Sequence, residues 1–213
     1  MRAVSESSLR EDIAAFGELL TGLGLAHGAT GNISVRLDDG LLVTPTNSRL
    51  GRLDPARIAR LDRDGRHVGG DQPSKEAFLH QCVYEMRPGA HAIVHLHSTH
   101  SVAISCLAGL DEDDVLQPLT AYYVMRVGRL PLVPYFPPGD TRLAAAVRQV
   151  AAEHAAVLLA NHGPVVAGKS LDAAVGAIEE LEATARLFLL LQGRSFRPLD
   201  AAQIQELREL YPS

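Results

Sequence analysis

The chain has 213 residues, 46% apolar and 21% charged, the balance of an ordinary water-soluble domain able to bury roughly 70% of its unfolded surface. Twenty Lys plus Arg against 25 Asp plus Glu leave a net charge of −5, and aromatics are 5% with no Trp, which excludes a basic groove or a base-stacking platform for nucleic acid as the main business. Cys82 and Cys106 are too few for a disulfide framework and are read as small buried residues in a reducing cytoplasm. No apolar run reaches the ~20 residues of a membrane span, and Met1 to Arg10 is too polar for a signal peptide, so no membrane partner is expected.

In chain order, Ser8-Leu9-Arg10-Glu11 has capping-box form and opens an amphipathic helix ending near Gly24. Residues 31–44 read as an antiparallel hairpin in which Ile33, Val35 and Leu37 alternate with polar residues and Asp38-Asp39-Gly40 makes the turn. Pro45 to Gln72 reads as loops, and Ser74 is placed to cap a helix to about Met86 with Glu76 in its first turn. Residues 90–97 alternate as a strand, with Ala92, Val94 and Leu96 on one face and His91, Ile93, His95 and His97 on the other. Ser98 is placed to cap a helix through Leu107, residues 122–134 look strand-like, and Asp140 is placed to cap a helix over 141–154. A short buried strand at 157–160 breaks at Asn161-His162-Gly163-Pro164 and resumes at 165–167. Ser170 then caps a long helix to about Leu191, and a last helix carries Ile204, Leu207 and Leu210. There is no linker or repeat. The mixture, without a regular βαβ rhythm, predicts one α/β domain over residues 1–213, with helices around a largely antiparallel sheet.

The nine histidines carry the chemistry. His95 and His97, two apart on one strand face, stand ~6.5–7 Å apart along the backbone, close enough for both rings to reach one ion. His162 sits in a sharp turn after an apolar strand, held at a sheet end. Three imidazoles with an open position describe a catalytic zinc site. His100 and the remaining histidines, His80 among them, are read as surface or supporting residues. Glu76, at a helix start, is a carboxylate available as acid or base beside a metal. Thr30-Gly31-Asn32 with Ser34, Thr44-Pro45-Thr46-Asn47-Ser48, and Pro73-Ser74-Lys75 are polar clusters that turn chemistry alone explains, yet together they offer amides, hydroxyls and one ammonium to a phosphate. A dehydrogenase reading fails, since no G-x-G-x-x-G follows a strand.

The ordered set Thr30-Gly31-Asn32-Ile33-Ser34, Val43-Thr44-Pro45-Thr46, Pro73-Ser74-Lys75-Glu76, His95-Leu96-His97 and Asn161-His162-Gly163 resembles the class II, zinc-dependent sugar-phosphate aldolase and epimerase family over about residues 8–195. The resemblance implies a three-layer α/β/α sandwich, one zinc (or manganese or cobalt) on His95, His97 and His162, and Glu76 as acid or base. It also implies a cytoplasmic homotetramer with active sites at subunit interfaces. Gly31, Asn32, Thr46, Ser74, Lys75 and Arg126 are then the candidate substrate and phosphate contacts. Tyr122, with Tyr123 as the alternative, is the candidate catalytic tyrosine reaching a neighbour's site. Family aldolases usually carry a small hydroxyl residue where Lys75 stands and a glycine where Asn47 stands. With Tyr122-Tyr123-Val124-Met125-Arg126-Val127-Gly128, the chain looks most like the 3-oxo-tetronate 4-phosphate decarboxylase branch. That branch implies loss of carbon dioxide from a phosphorylated 3-oxo acid, leaving an enediolate that a metal stabilises and a proton converts to dihydroxyacetone phosphate. A fuculose-phosphate-type aldolase and a pentulose-phosphate 4-epimerase are the alternatives. A non-catalytic adducin-like interaction module is a more distant one.

Overall fold

In the computed structural model, which describes residues 5–137 and 139–211, helix α1 spans Glu6–Gly22 and is capped by Ser5 rather than Ser8. The Ser5 hydroxyl accepts from the Ser8 amide at 3.2 Å, so the capping serine lies one turn earlier than the sequence pattern placed it. Strands β1 (Asn32–Leu37) and β2 (Gly40–Val43) form the expected antiparallel hairpin, with Ser34 opposite Val43. The stretch read as loops holds two 3-10 turns, Leu50–Arg52 and Pro55–Arg57, and a second hairpin, β3 (Ala59–Asp62) with β4 (His67–Gly69). Ala59 and Leu61 are buried while Arg60 and Asp62 are partly exposed, a period of two too short to stand out among flanking charges.

Helix α2 spans Ala77–Met86, strand β5 Ala92–His95 and helix α3 Thr99–Ser105. The strand expected over 122–134 is mostly absent. Its first half is helix α4 (Ala121–Arg126), and only β6 (Leu132–Val133) is extended. Tyr-Tyr-Val-Met favours a strand by propensity, but the Thr120 hydroxyl caps the Tyr123 amide at 3.0 Å and α4 packs on the long helix described next, so tertiary context prevails. Helix α5 (Arg142–Ala151), strands β7 (Ala156–Leu159) and β8 (Gly163–Gly168), and helix α6 (Leu171–Leu191) follow. Helix α7 (Ala201–Leu210) has an Asp200–Gln203 capping box but buries none of its residues, so the Ile204, Leu207 and Leu210 stripe is not core.

The strands form one eight-stranded sheet in the order β4-β3-β2-β1-β5-β8-β7-β6, antiparallel throughout except for the parallel β6–β7 pair. Strand alternation sorts its side chains into two apolar clusters. Ile33, Val94 and Val166 join α1 and α6 residues such as Ile13 and Ile178, whereas Val43, Ile93 and Val165 join Leu79 of α2 and Val147 of α5. At one sheet end β1 begins, β5 ends and β8 begins: Asn32 pairs with His95, and His95 with Val165. Among the described residues no helix is long and apolar enough to cross a membrane.

Candidate metal centre and active site

That sheet end gathers His95, His97 and His162. Their Nε2 atoms form a triangle with edges of 3.2 Å (His95–His97), 3.3 Å (His95–His162) and 3.0 Å (His97–His162). A neutral ring nitrogen either donates or accepts, so three converging Nε2 atoms suit a shared cation better than mutual hydrogen bonds. A tetrahedral ion bonded at ~2.0–2.1 Å to imidazole nitrogens holds those nitrogens about 3.3 Å apart, which is the spacing found. The wholly buried His95 donates its Nδ1–H to the Pro164 carbonyl at 2.8 Å, leaving Nε2 as a lone-pair ligand. Burial disfavours charge on His95 and His97 and holds both below the ordinary histidine range, His97 at about 3. Both are therefore neutral imidazoles at physiological pH.

Backbone packing fixes these positions. Gly163 follows His162, and a Cβ there would lie 2.2 Å from the Leu96 carbonyl oxygen, so only glycine lets the β7–β8 turn press against the Leu96-His97 segment. Gly31, at φ 78°, plays the same part beside the His95 carbonyl, where a Cβ would come to 2.8 Å.

Glu76 occupies the N-cap of α2 rather than its first turn, at φ −97° and ψ 8°, with its amide donating to the Ser74 hydroxyl at 3.2 Å. Its Oε1 lies 3.2 Å from His162 Nε2 and its Oε2 3.5 Å from His95 Nε2, so the carboxylate joins the three histidines in one four-residue cluster. Burial alone would raise its pKa. Hydrogen bonds from His162 and, at 2.7 Å, from Asn32 Nδ2 oppose that and hold the carboxyl below its usual range, so it is ionised.

The three polar clusters meet beside it. Pro45 and Pro73 bridge, Thr46 N–H donates to the Gln72 carbonyl at 2.9 Å, Ser74 N–H to the Thr44 carbonyl at 3.1 Å, and Ile33 N–H to the Thr44 hydroxyl at 3.2 Å. Asn32 is 3% exposed and its amide is engaged by Glu76 and His80, while Lys75 is exposed next to Glu76. Asn47 stands at φ 56°, a left-handed conformation that Asn tolerates better than most residues, which explains how it serves where a glycine is usual. A cleft of about 500 Å3 lined by His27, Tyr135 and Phe136 opens on His97 and His162.

Tyr122 and Arg126 are not brought to this cluster within the chain. Tyr122 is 59% exposed on α4, with the Arg126 guanidinium 5.7 Å from its ring centre. Tyr123 is wholly buried, so Tyr122 is the tyrosine of the pair open to solvent. Cys82 is buried as expected; Cys106 is exposed and accepts from Asn161 Nδ2 at 3.4 Å.

One supporting residue, Glu182, has no place in the sequence reading, and a second, His80, is grouped there with the surface or supporting histidines. Glu182, 6% exposed on α6, accepts from the His100 and Ser101 amides at 2.8 and 2.9 Å and from the Ser101 hydroxyl at 2.6 Å, anchoring the helix that follows His97. A carboxylate between Leu181 and Ala185 on an apolar helix face was the available signal. His80 is wholly buried, with Nε2 at 2.5 Å from Asn32 Oδ1 and Nδ1 at 2.7 Å from Ser34 Oγ. Its signal was the four-residue spacing of Glu76, His80 and Tyr84 on one helix face.

Residues 11–189 match the family model described as Class II Aldolase and Adducin N-terminal domain. The chain is 50% identical to a 3-oxo-tetronate 4-phosphate decarboxylase of Escherichia coli (strain K12), over 95% of this chain and 96% of that protein. It is 37% identical to an L-fuculose phosphate aldolase of Haemophilus influenzae, over 81% of this chain and 78% of the relative. The crystal structure of YgbL from Escherichia coli superposes with a TM-score of 0.93 at 48% identity, covering 95% of this chain and 99% of that one. The chain therefore belongs to the Class II Aldolase and Adducin N-terminal domain family.

Proposed function

We propose that this protein is a metal-dependent carbon–carbon lyase that converts 3-oxo-tetronate 4-phosphate to dihydroxyacetone phosphate and carbon dioxide. The observation that carries the reading is the 50% identity to a named decarboxylase along nearly the whole of both chains. The four-residue cluster supplies its chemistry. Zinc is the metal the three-imidazole set fits best, with manganese or cobalt as substitutes, and bound there it would polarise the substrate's ketone and hydroxyl oxygens and stabilise negative charge as the carboxylate departs.

The chain's own residues do the rest. Loss of carbon dioxide from a 3-oxo acid leaves an electron pair at C2 that must take up one proton. Glu76 is the carboxylate of the cluster, and it delivers that proton after accepting one from solvent. The adjoining turns offer the Gly31 amide and the Thr46 and Ser74 hydroxyls to the phosphate, Asn32 lines the same turn with its amide held by Glu76 and His80, and Lys75 adds a charge. Tyr122 and Arg126, exposed and remote from their own chain's cluster, serve a neighbouring subunit's site in a cytoplasmic homotetramer. The two apolar clusters are read as the two interfaces of an α/β/α sandwich.

The aldolase reading keeps a place because an L-fuculose phosphate aldolase is also a relative, and the same site would then release an aldehyde instead. An adducin-like module has no use for a complete cluster of three histidines and a glutamate. The test is to offer metal-replete protein 3-oxo-tetronate 4-phosphate and fuculose 1-phosphate and follow carbon dioxide and aldehyde separately. Carbon dioxide from the oxo acid, at a rate far above any aldehyde release, is expected. Rapid aldehyde release with no carbon dioxide would overturn the reading in favour of the aldolase.

A further inference from the structure

Behind Glu76 a line of hydrogen bonds runs into the protein between α2 and β1. Glu76, His80 and Tyr84 follow one another at four-residue spacing on the helix, and Asn32 and Ser34 at two-residue spacing on the strand. The contacts are Asn32 Nδ2 to Glu76 Oε2 at 2.7 Å, His80 Nε2 to Asn32 Oδ1 at 2.5 Å, Ser34 Oγ to His80 Nδ1 at 2.7 Å, and Tyr84 OH to Ser34 Oγ at 2.9 Å. Arg36, next on the same strand face, closes the line by stacking 4.6 Å from the Tyr84 ring centre and donating to the Tyr84 carbonyl at 2.7 Å.

The direction of every bond follows from the placement of the Asn32 amide. Its NH2 faces Glu76 Oε2 and its carbonyl oxygen faces His80 Nε2. That oxygen only accepts, so His80 Nε2 must carry a proton. A neutral imidazole then has a bare Nδ1, which takes the Ser34 hydroxyl proton, and Ser34 in turn accepts from Tyr84. Among the described residues no carboxylate touches the His80 ring, in contrast to His100 beside Glu182, and complete burial pushes His80 down to about 3. The imidazole is neutral.

We infer that His80 is a positioning residue: its Nε2–H locks the Asn32 amide in the orientation that donates to Glu76, and so fixes the carboxylate in the pose from which it handles protons. With the amide reversed, its oxygen would face a carboxylate oxygen across 2.7 Å, so the His80 proton decides between a supported Glu76 and a repelled one. The inference rests on Glu76 being the acid–base group of the proposed reaction, but its first test is independent of turnover.

In metal-free protein labelled with 15N-histidine, NMR should show an imidazole protonated at Nε2 and bare at Nδ1, identified as His80 by its disappearance in His80→Gln. A ring protonated at Nδ1, at both nitrogens, or exchanging between tautomers would overturn the assignment. The second test sets two amides against each other: Gln places a donor near the Nε2 position, whereas Asn reaches only the Nδ1 side. Relative to wild type, kcat should fall roughly 10- to 100-fold in His80→Asn and far less in His80→Gln, with KM unchanged in both. Equal losses in two folded variants, or no loss in His80→Asn, would refute the positioning role. If Glu76→Gln turned over normally while the His80 tautomer was as stated, the proposed chemistry would be wrong and the hydrogen-bond assignment right.

Discussion

Glu76 shows how much one side chain depends on its surroundings. Burial would keep its carboxyl neutral, yet hydrogen bonds from the Asn32 amide and from His162, 3.2 Å away, keep it ionised. An anion so placed is available to take a proton and give it back at carbon. Replacing it with Gln keeps the volume and a hydrogen-bonding oxygen while removing the proton chemistry. Glu76→Gln is therefore expected to fold normally, to melt near the wild-type temperature, and to lose roughly 10²- to 10⁴-fold in kcat. Unfolding of the variant, or unaltered turnover, would mean that Glu76 holds the helix start and nothing more.

The elements explain why the pieces meet. The alternation at 90–97 made the strand and its His95 legible, but the strand stops at His95, and His97 comes to its neighbours from the short loop between β5 and α3. The hairpin at 31–44 and the long helix capped by Ser170 were legible for the same reason, a clean period with a clear cap. What was not legible required knowledge of partners. Tyr122 to Arg126 is helical because Thr120 caps it and α6 receives it, and Ala59 to Asp62 is a strand because β2 and β4 lie on either side of it. His80 looked like a stray histidine because its function lies between two elements, in the polar stripe of β1 facing that of α2. The β7–β8 turn carries a sharper expectation. Gly163→Ala introduces a Cβ 2.2 Å from the Leu96 carbonyl oxygen, a backbone atom that cannot swing aside. Overpacking of this kind typically costs about 1–3 kcal/mol, and here the displaced segments bear His162 and His97. The variant should melt lower and, measured by isothermal titration calorimetry while still folded, bind zinc more weakly than wild type. Wild-type zinc affinity in a folded Gly163→Ala protein would show that the turn does not set the ligand geometry.

At the scale of the whole molecule, the sheet brings three separated segments to one end, while α4 carries Tyr122 and Arg126 on an exposed face away from the cluster. A site that uses those residues must draw them from another chain. Mixing an inactive His162→Ala protein with an inactive Tyr122→Ala protein under conditions that exchange subunits should then restore part of the activity, since some sites receive intact halves from both. No recovery from fully exchanged mixtures would place Tyr122 outside the site. The central claim is that one ion on His95, His97 and His162 enables the loss of carbon dioxide from the phosphorylated oxo acid. Its most direct test is to strip the protein with a chelator, add zinc in measured portions, and follow carbon dioxide release from 3-oxo-tetronate 4-phosphate. Release should be absent at the start, rise linearly and level off at one zinc per chain; full activity in the stripped protein, or activity still climbing well beyond one equivalent, would contradict it.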